Sequence, residues 1–189
     1  MKKYMYLIAG ANGSGKTTLA HELLREEKGL TFLNADEIAA GIGDTAGIAA
    51  GRILLTEVGR VLADGKSFVM ESTISGSYHL RILREAREKG YEIILIYVFL
   101  DTIELNIARI KNRVKLGGHD VPAEDVIRRY HKSMKNLEAT IALVDKWELY
   151  CNGGSGHDLI AAYYGNNVEI LNNDLYDNFK KELKNASDE

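Results

Sequence analysis

Tyr4-Met5-Tyr6-Leu7-Ile8-Ala9-Gly10-Ala11-Asn12-Gly13-Ser14-Gly15-Lys16-Thr17 is the stretch that decides the fold. Tyr4 to Ala9 reads as a buried strand, with Gly10 as punctuation. Gly10 to Thr17 satisfies G-x-x-x-x-G-K-[ST], the signature of a phosphate-binding loop between a strand and a helix. Glycines let the backbone curl so that successive N–H groups face one phosphate chain, and the helix that follows adds its positive end. Gly10, Ala11, Asn12, Gly13, Ser14, Gly15, Lys16, Thr17 and Thr18 are therefore expected to cradle a nucleoside triphosphate. Lys16 should reach the β- and γ-phosphates, and the Thr17 hydroxyl should ligate Mg²⁺.

Outward from this loop, apolar runs alternate with helical patterns. Lys16 to Glu27 reads as a helix closed by Gly29. Leu30 to Asn34 is a second strand, Ile48 to Ala63 a helix with Gly65 as C-cap, and Ser67 to Glu71 a third strand. Leu80 to Lys89 is helical, and Glu92 to Leu100 is the most apolar strand of the chain. A helix capped at Asp101 or Thr102 runs to about Leu116, another from Pro122 to about Asp145, and Glu148 to Cys151 is a fifth strand. This alternation predicts an α/β protein, a three-layer α/β/α sandwich around a mainly parallel sheet of about five strands. Asp158 to Tyr164 and Val168 to Leu171 suggest a small C-terminal hairpin, followed by a polar helix from Asp174 to Lys184. All 189 residues read as one domain.

Composition agrees. The chain is 46% apolar and 27% charged, which supports a core and excludes a disordered chain. The formal net charge of −3 offers no general attraction to nucleic acid or to an anionic membrane. The apolar stretch near the N-terminus is too short for a signal peptide, and no run approaches a membrane span. The single cysteine, Cys151, excludes an internal disulfide and fits a reducing, cytoplasmic setting.

The phosphate loop implies nucleotide binding, and other residues must specify the reaction. No Asn-Lys-x-Asp guanine reader and no LSGGQ-like segment is present. The stretch from Arg109 to Lys135 carries a local charge of +5 and breaks at Leu116-Gly117-Gly118-His119-Asp120-Val121-Pro122. Two basic helices around a glycine-rich break suit a mobile lid that lowers guanidinium groups onto a transferring phosphate. Arg113 and Arg128, nearest the break, are the leading candidates, with Arg109 and Arg129 behind. Asp36, at the end of the second strand, is the candidate general base; capping the next helix is its alternative task. Asn34, Glu71 and Thr73 sit at strand ends where an acceptor would bind. Arg81 could grip an anionic substrate, or belong with Arg84 and Arg87 to a solvated stripe. Asn152, at the end of the fifth strand, is placed near the adenine. The five histidines show no metal-ligand spacing.

Taken together, these segments resemble the zeta-toxin-like P-loop kinases, especially short bacterial members. The resemblance rests on the phosphate loop, Asn34-Ala35-Asp36, Glu71-Ser72-Thr73-Ile74-Ser75-Gly76, Arg113 to Pro122, Arg128-Arg129-Tyr130 and Lys135-Asn136-Leu137. It implies ATP as phosphoryl donor and Asp36 as base, with Glu71 and Thr73 in the acceptor site. In toxin members the acceptor is a UDP-N-acetylhexosamine, chiefly UDP-N-acetylglucosamine, and an antitoxin-like protein is an implied partner. The segment from Ala39 to Ala50 is short here, and Glu-Ser-Thr stands where some toxins have Glu-Gly-Thr. Other metabolite kinases, a nucleotide-dependent switch and a binder of nucleic-acid ends are the alternatives; the net charge argues against the last.

Overall fold

A computed structural model describes residues 2–44, 47–154 and 156–188. Its centre is one seven-stranded sheet in the order β2-β3-β1-β4-β5-β6-β7. The parallel part consists of β1 (Lys3–Ala9), β2 (Thr31–Leu33), β3 (Phe68–Ser72), β4 (Tyr91–Phe99) and β5 (Lys146–Cys151). β6 (Asp158–Tyr163) and β7 (Val168–Ile170) are the predicted hairpin. The hairpin does not stand apart: β6 pairs antiparallel with β5, so seven strands replace the five expected. Local patterning found the hairpin but carried no signal for the strand it would join.

The helices are α1 (Lys16–Glu26), α2 (Ala35–Ile42), α3 (Ile48–Asp64), α4 (Tyr78–Glu88), α5 (Ile103–Lys115), α6 (Ala123–Ile141) and α7 (Asn173–Asp188). α1 covers one face of the sheet, where Leu19, Leu23 and Leu24 meet Ile8, Val69, Ile96 and Val98. α3, α4, α6 and α7 cover the other, over Met5, Leu7, Met70, Leu95 and Phe99. The three layers follow from strands that are apolar on both faces. α6 stops at Ile141 and β5 starts at Lys146, so the predicted helix ends a turn early and the strand begins two residues sooner.

The C-terminal helix is part of this core. Phe179 is buried with its ring 5.2 Å from Phe99 and 6.0 Å from Tyr97. Burying one such ring contributes about 1.5–3 kcal/mol, enough to dock a helix whose other faces are polar. The lid region has a small core of its own, formed by Ile110, Val121 and Val126. No helix among the described residues is long and apolar enough to cross a membrane.

His79 joins α4 to α6. Its ring is buried, with Nε2 3.0 Å from Thr140 Oγ1. Thr140 donates its own proton to the Asn136 carbonyl, so Nε2 must carry the imidazole proton. Burial lowers the His79 pKa from 6.5 to about 4. Between those values the unfolded chain binds the extra proton, so this contribution is full above 6.5 and lost as pH falls toward 4. Urea unfolding should show a loss of about 2 kcal/mol between about pH 7 and pH 5, absent in His79→Gln.

Candidate active site

The phosphate loop follows β1, at the C-terminal ends of the parallel strands, where β3 and β4 flank β1 on opposite sides. Ligands of open α/β sheets bind at such a reversal of strand order. Three glycines are held to their identity by their surroundings, Gly13 (φ +80°) among them, where a Cβ would lie 2.6 Å from the Asn106 carbonyl oxygen. A Cβ on Gly10 (φ +141°) would lie 2.2 Å from the Val98 carbonyl oxygen, and one on Gly15 (φ +99°) 2.2 Å from Asn152 Nδ2. The loop is held from behind by side chains distant in sequence. Asn106 Nδ2 donates to Asn12 O (2.8 Å), Asn152 Nδ2 to Ser14 O (2.8 Å), and His157 Nε2 to Gly15 O (3.2 Å). Lys16 Nζ curls back onto Ala11 O at 2.9 Å.

Lys16, on the first turn of α1, is buried with its Nζ 3.8 Å from Glu71 Oε1. Glu71, on β3, accepts from Thr17 Oγ1 (2.9 Å) and from Asn34 Nδ2 (2.8 Å) on its other oxygen. Burial holds the ammonium below its ordinary pKa, against the raising influence of Glu71 and Asp36. Burial likewise raises the Glu71 carboxyl, against Lys16 and the Thr17 hydroxyl. A lysine, a carboxylate and a hydroxyl thus meet in a cavity of about 200 Å³ that Asn12, Asp36, Arg109 and Arg113 also line.

Asn34 proves to be the cap of α2: its Oδ1 accepts from the backbone N–H groups of Asp36 (2.7 Å) and Glu37 (3.3 Å). Both ends of its amide are therefore engaged within the protein, on the cap and on Glu71, instead of facing a substrate. Asp36 is thereby relieved of capping. Its residue lines both the phosphate-loop cavity and a second cavity of about 150 Å³ with Ala39, Gly43 and His119. His119 belongs to the lid break, so the second cavity lies between the lid and α2.

The arginines divide sharply. Arg113 lines the phosphate-loop cavity, and its Nε and Nη2 are buried without a hydrogen-bond partner. Gly118 makes room for its stem, since a Cβ there would lie 2.5 Å from Arg113 Cγ. Arg109 lines the same cavity and donates to the Asn152 carbonyl. Arg129 Nη1 donates to Asn12 Oδ1 at 3.3 Å. Arg128 lies on the outer side of α6, 52% exposed and paired with Asp125 at 2.6 Å. The inward-facing arginine of that Arg-Arg pair is thus its neighbour, Arg129. Arg81 is exposed on α4, as are Arg84 and Arg87, in keeping with a solvated stripe. Thr73 bonds to the Ser75 hydroxyl at 2.9 Å and does not line the phosphate-loop cavity. Asn152 touches the loop backbone; Thr18 is exposed at the cavity rim. Ser155, in the glycine-rich segment after β5, lies outside the described residues.

Sequence reasoning missed Asn106 and His157. Asn106, Arg109, Ile110 and Arg113 follow i, i+3, i+4, i+7 spacing on α5, a stripe that could have assigned them to one face. His157 carried no such signal, because its contact spans 142 residues. The loop after β3 carries strain that its sequence does not announce. Ile74 is buried and holds φ +45°, a region L-residues other than Asn, Asp and Gly rarely enter. Asn136 on α6 donates to the carbonyls of Ile74 (2.7 Å) and Gly76 (3.2 Å) and fixes that shape.

A phosphate loop on a parallel sheet, with a buried lysine, a facing carboxylate and an arginine-bearing helical pair above, defines a P-loop kinase. The zeta toxin family model matches residues 1–155, and the chain belongs to that family. An uncharacterized protein of Haemophilus influenzae is 34% identical over 132 residues, 68% of this chain and 92% of its own length. Among solved structures, the AvrRxo1-ORF1:AvrRxo1-ORF2 complex with ATP aligns at a TM-score of 0.76 and 17% identity. It covers 94% of this chain, which spans 63% of that neighbour's length. The PezAT toxin–antitoxin system of Streptococcus pneumoniae aligns at a TM-score of 0.62 and 16% identity, over all of this chain and 88% of the neighbour.

Asn152→Ala should remove the prop beneath Ser14 and weaken ATP binding about tenfold in calorimetric titration, with an unchanged circular dichroism spectrum. An unaltered affinity would show that the loop holds its shape without this contact.

Proposed function

We propose that the protein transfers the γ-phosphoryl group of ATP to a hydroxyl of a small, anionic molecule. The observation that carries this reading is the position of Asp36, which borders the phosphate-loop cavity on one side and the cavity under the lid on the other. A carboxylate at that boundary can accept the proton of an acceptor hydroxyl as its oxygen attacks the γ-phosphorus and the bond to the ADP oxygen breaks. Lys16 and Arg113 answer the charge that develops on the transferred group. The two unpartnered guanidinium nitrogens of Arg113 are the strongest sign that an anion completes this site, because buried donors without acceptors are costly.

No cluster of three acidic, histidine or cysteine side chains suited to a metal is found among the described residues. Mg²⁺ suits such a place, because it is commonly held by one or two protein oxygens together with substrate phosphates. The Thr17 hydroxyl and the Glu71 carboxylate, 2.9 Å apart, are hard oxygen donors of that kind. When bound, the ion would neutralise charge between the β- and γ-phosphates.

The cavity under the lid is smaller than a typical organic ligand site, so it would take only the reacting end of an acceptor. UDP-N-acetylglucosamine is the leading acceptor, on the strength of the family. The family and the solved toxin–antitoxin neighbour also support a protein inhibitor as partner, and a cytoplasmic site of action accords with the substrates. Lid residues 109–135 would act within one kinase unit that includes the C-terminal strands.

Transfer of labelled γ-phosphate from Mg²⁺-ATP to UDP-N-acetylglucosamine tests the reading. Lys16→Ala and Asp36→Asn should each abolish transfer, and Asp36→Asn should still bind ATP. Transfer by Asp36→Asn at nearly the unaltered rate would sink the base assignment. Arg113→Ala should lower kcat by about 10²–10³-fold, as expected for loss of one group aimed at developing charge. Arg128→Ala should stay within about threefold, as expected for an exposed pair.

A further inference from the structure

A mostly apolar cavity lies remote from the phosphate loop. It lies between the sheet, the C-terminal half of α6 and α7, and has a volume of about 490 Å³. Leu95, Leu137, Ile141, Leu149, Phe179 and Leu183 give its wall an apolar character. Close-packed interiors leave few voids larger than a water molecule, whereas organic ligand sites occupy about 300–1,000 Å³. The kinase reading makes no use of this space.

The rim of the cavity selects for charge. Lys135 and Lys180 stand at its edge, and Lys184 lies one turn further along α7. Lys180 also pairs with Asp177. Against these three cations the cavity presents Glu138 and Glu148. The Glu148 carboxylate accepts from the Tyr150 and Tyr164 hydroxyls, and strand alternation turns it to the sheet face opposite Trp147 and Leu149. With Lys180 held by Asp177 and Glu138 opposing one lysine, Lys135 and Lys184 leave the mouth a small excess of positive charge over an apolar interior.

The wall is also wired to the active site. Tyr97 lines the cavity and its hydroxyl lies 3.0 Å from Ser133 Oγ on α6. The same helix carries Arg129, which reaches Asn12 of the phosphate loop, and Asn136, which grips the Ile74 loop beyond Glu71. A molecule wedged between α6 and the sheet would bear on both contacts.

We propose that this cavity is an effector site for an amphipathic organic anion, with an apolar body against the sheet and its acidic group among Lys135, Lys180 and Lys184. α6 passes its occupancy on to the nucleotide site. This inference does not depend on the acceptor or on turnover, because occupancy and ATP affinity are both read by binding.

Trp147 lines the cavity and is the single tryptophan of the chain, so it reports occupancy directly. The probe is anilinonaphthalene sulfonate, with phenylnaphthylamine as the uncharged counterpart of the same ring body. Saturable energy transfer from Trp147 to one sulfonate probe per folded chain is expected, with phenylnaphthylamine binding about tenfold more weakly or not at all. The double variant Lys135→Glu, Lys184→Glu, altered only at exposed positions, should lose about tenfold in probe affinity. Leu183→Phe, which fills the cavity, should block the probe while leaving the unfolding transition cooperative. Absence of saturable transfer, equal affinity for the two probes, or unaltered affinity in the charge-reversed variant would each overturn the site. Saturating probe should shift ATP affinity by about threefold or more, and an unshifted value would overturn the effector role.

Discussion

An ammonium and a carboxylate held together out of water are the constraint on which the rest of this structure depends. Lys16 and Glu71 cannot sit in that position unless hydrogen bonds and neighbouring charges offset their lost hydration. Thr17 and Asn34 both donate to Glu71, and Ala11 O receives Lys16. Asn34 can do so only because it also starts α2, which in turn sets Asp36 at the boundary of two cavities. A single asparagine thus ties the ion pair, the helix and the candidate base into one rigid unit. The P-loop, which has few side chains of its own, borrows its rigidity from Asn106, Asn152 and His157.

The lid follows the same logic from the other side. Its basic helices are not a uniform positive surface. α5 and α6 each turn arginines inward, while Arg128 engages Asp125 outside. Arg113 is the one left with buried donors and nothing to give them to. Buried donors of that kind are costly unless something accepts from them, and that cost is what supports Arg113 as an anion-binding group. Opposing this, Lys16 and Arg113 repel one another, which is part of why the lysine pKa is low.

Much of this was legible in the sequence. The alternating strands and helices, the loop from Gly10 to Thr17 and the hairpin all announced themselves by local pattern, and the family resemblance rested on the same segments. What local pattern cannot carry is direction. Arg128 and Arg129 are adjacent and chemically identical, and only the rotation of α6 decides which one meets Asn12. Capping is the alternative task the sequence offers Asp36, and only the geometry of α2 gives that task to Asn34 instead. Asn152 was placed near the base because of its strand, yet its amide faces the loop backbone. His157 and the strand that receives the hairpin are matters of long-range pairing, for which a single sequence holds no record.

The family match ends at residue 155, and the hairpin begins three residues later. Without it, the parallel sheet would end at β5, leaving one side of a six-residue strand with bare backbone donors and acceptors. Such an edge is a template for pairing with other chains. The hairpin replaces it with β7, three exposed residues centred on Glu169, too short and too charged at its middle to recruit a neighbour. The segment beyond the family match therefore acts as a selvedge: it closes the open side of a sheet built for phosphate chemistry with a short, charged edge.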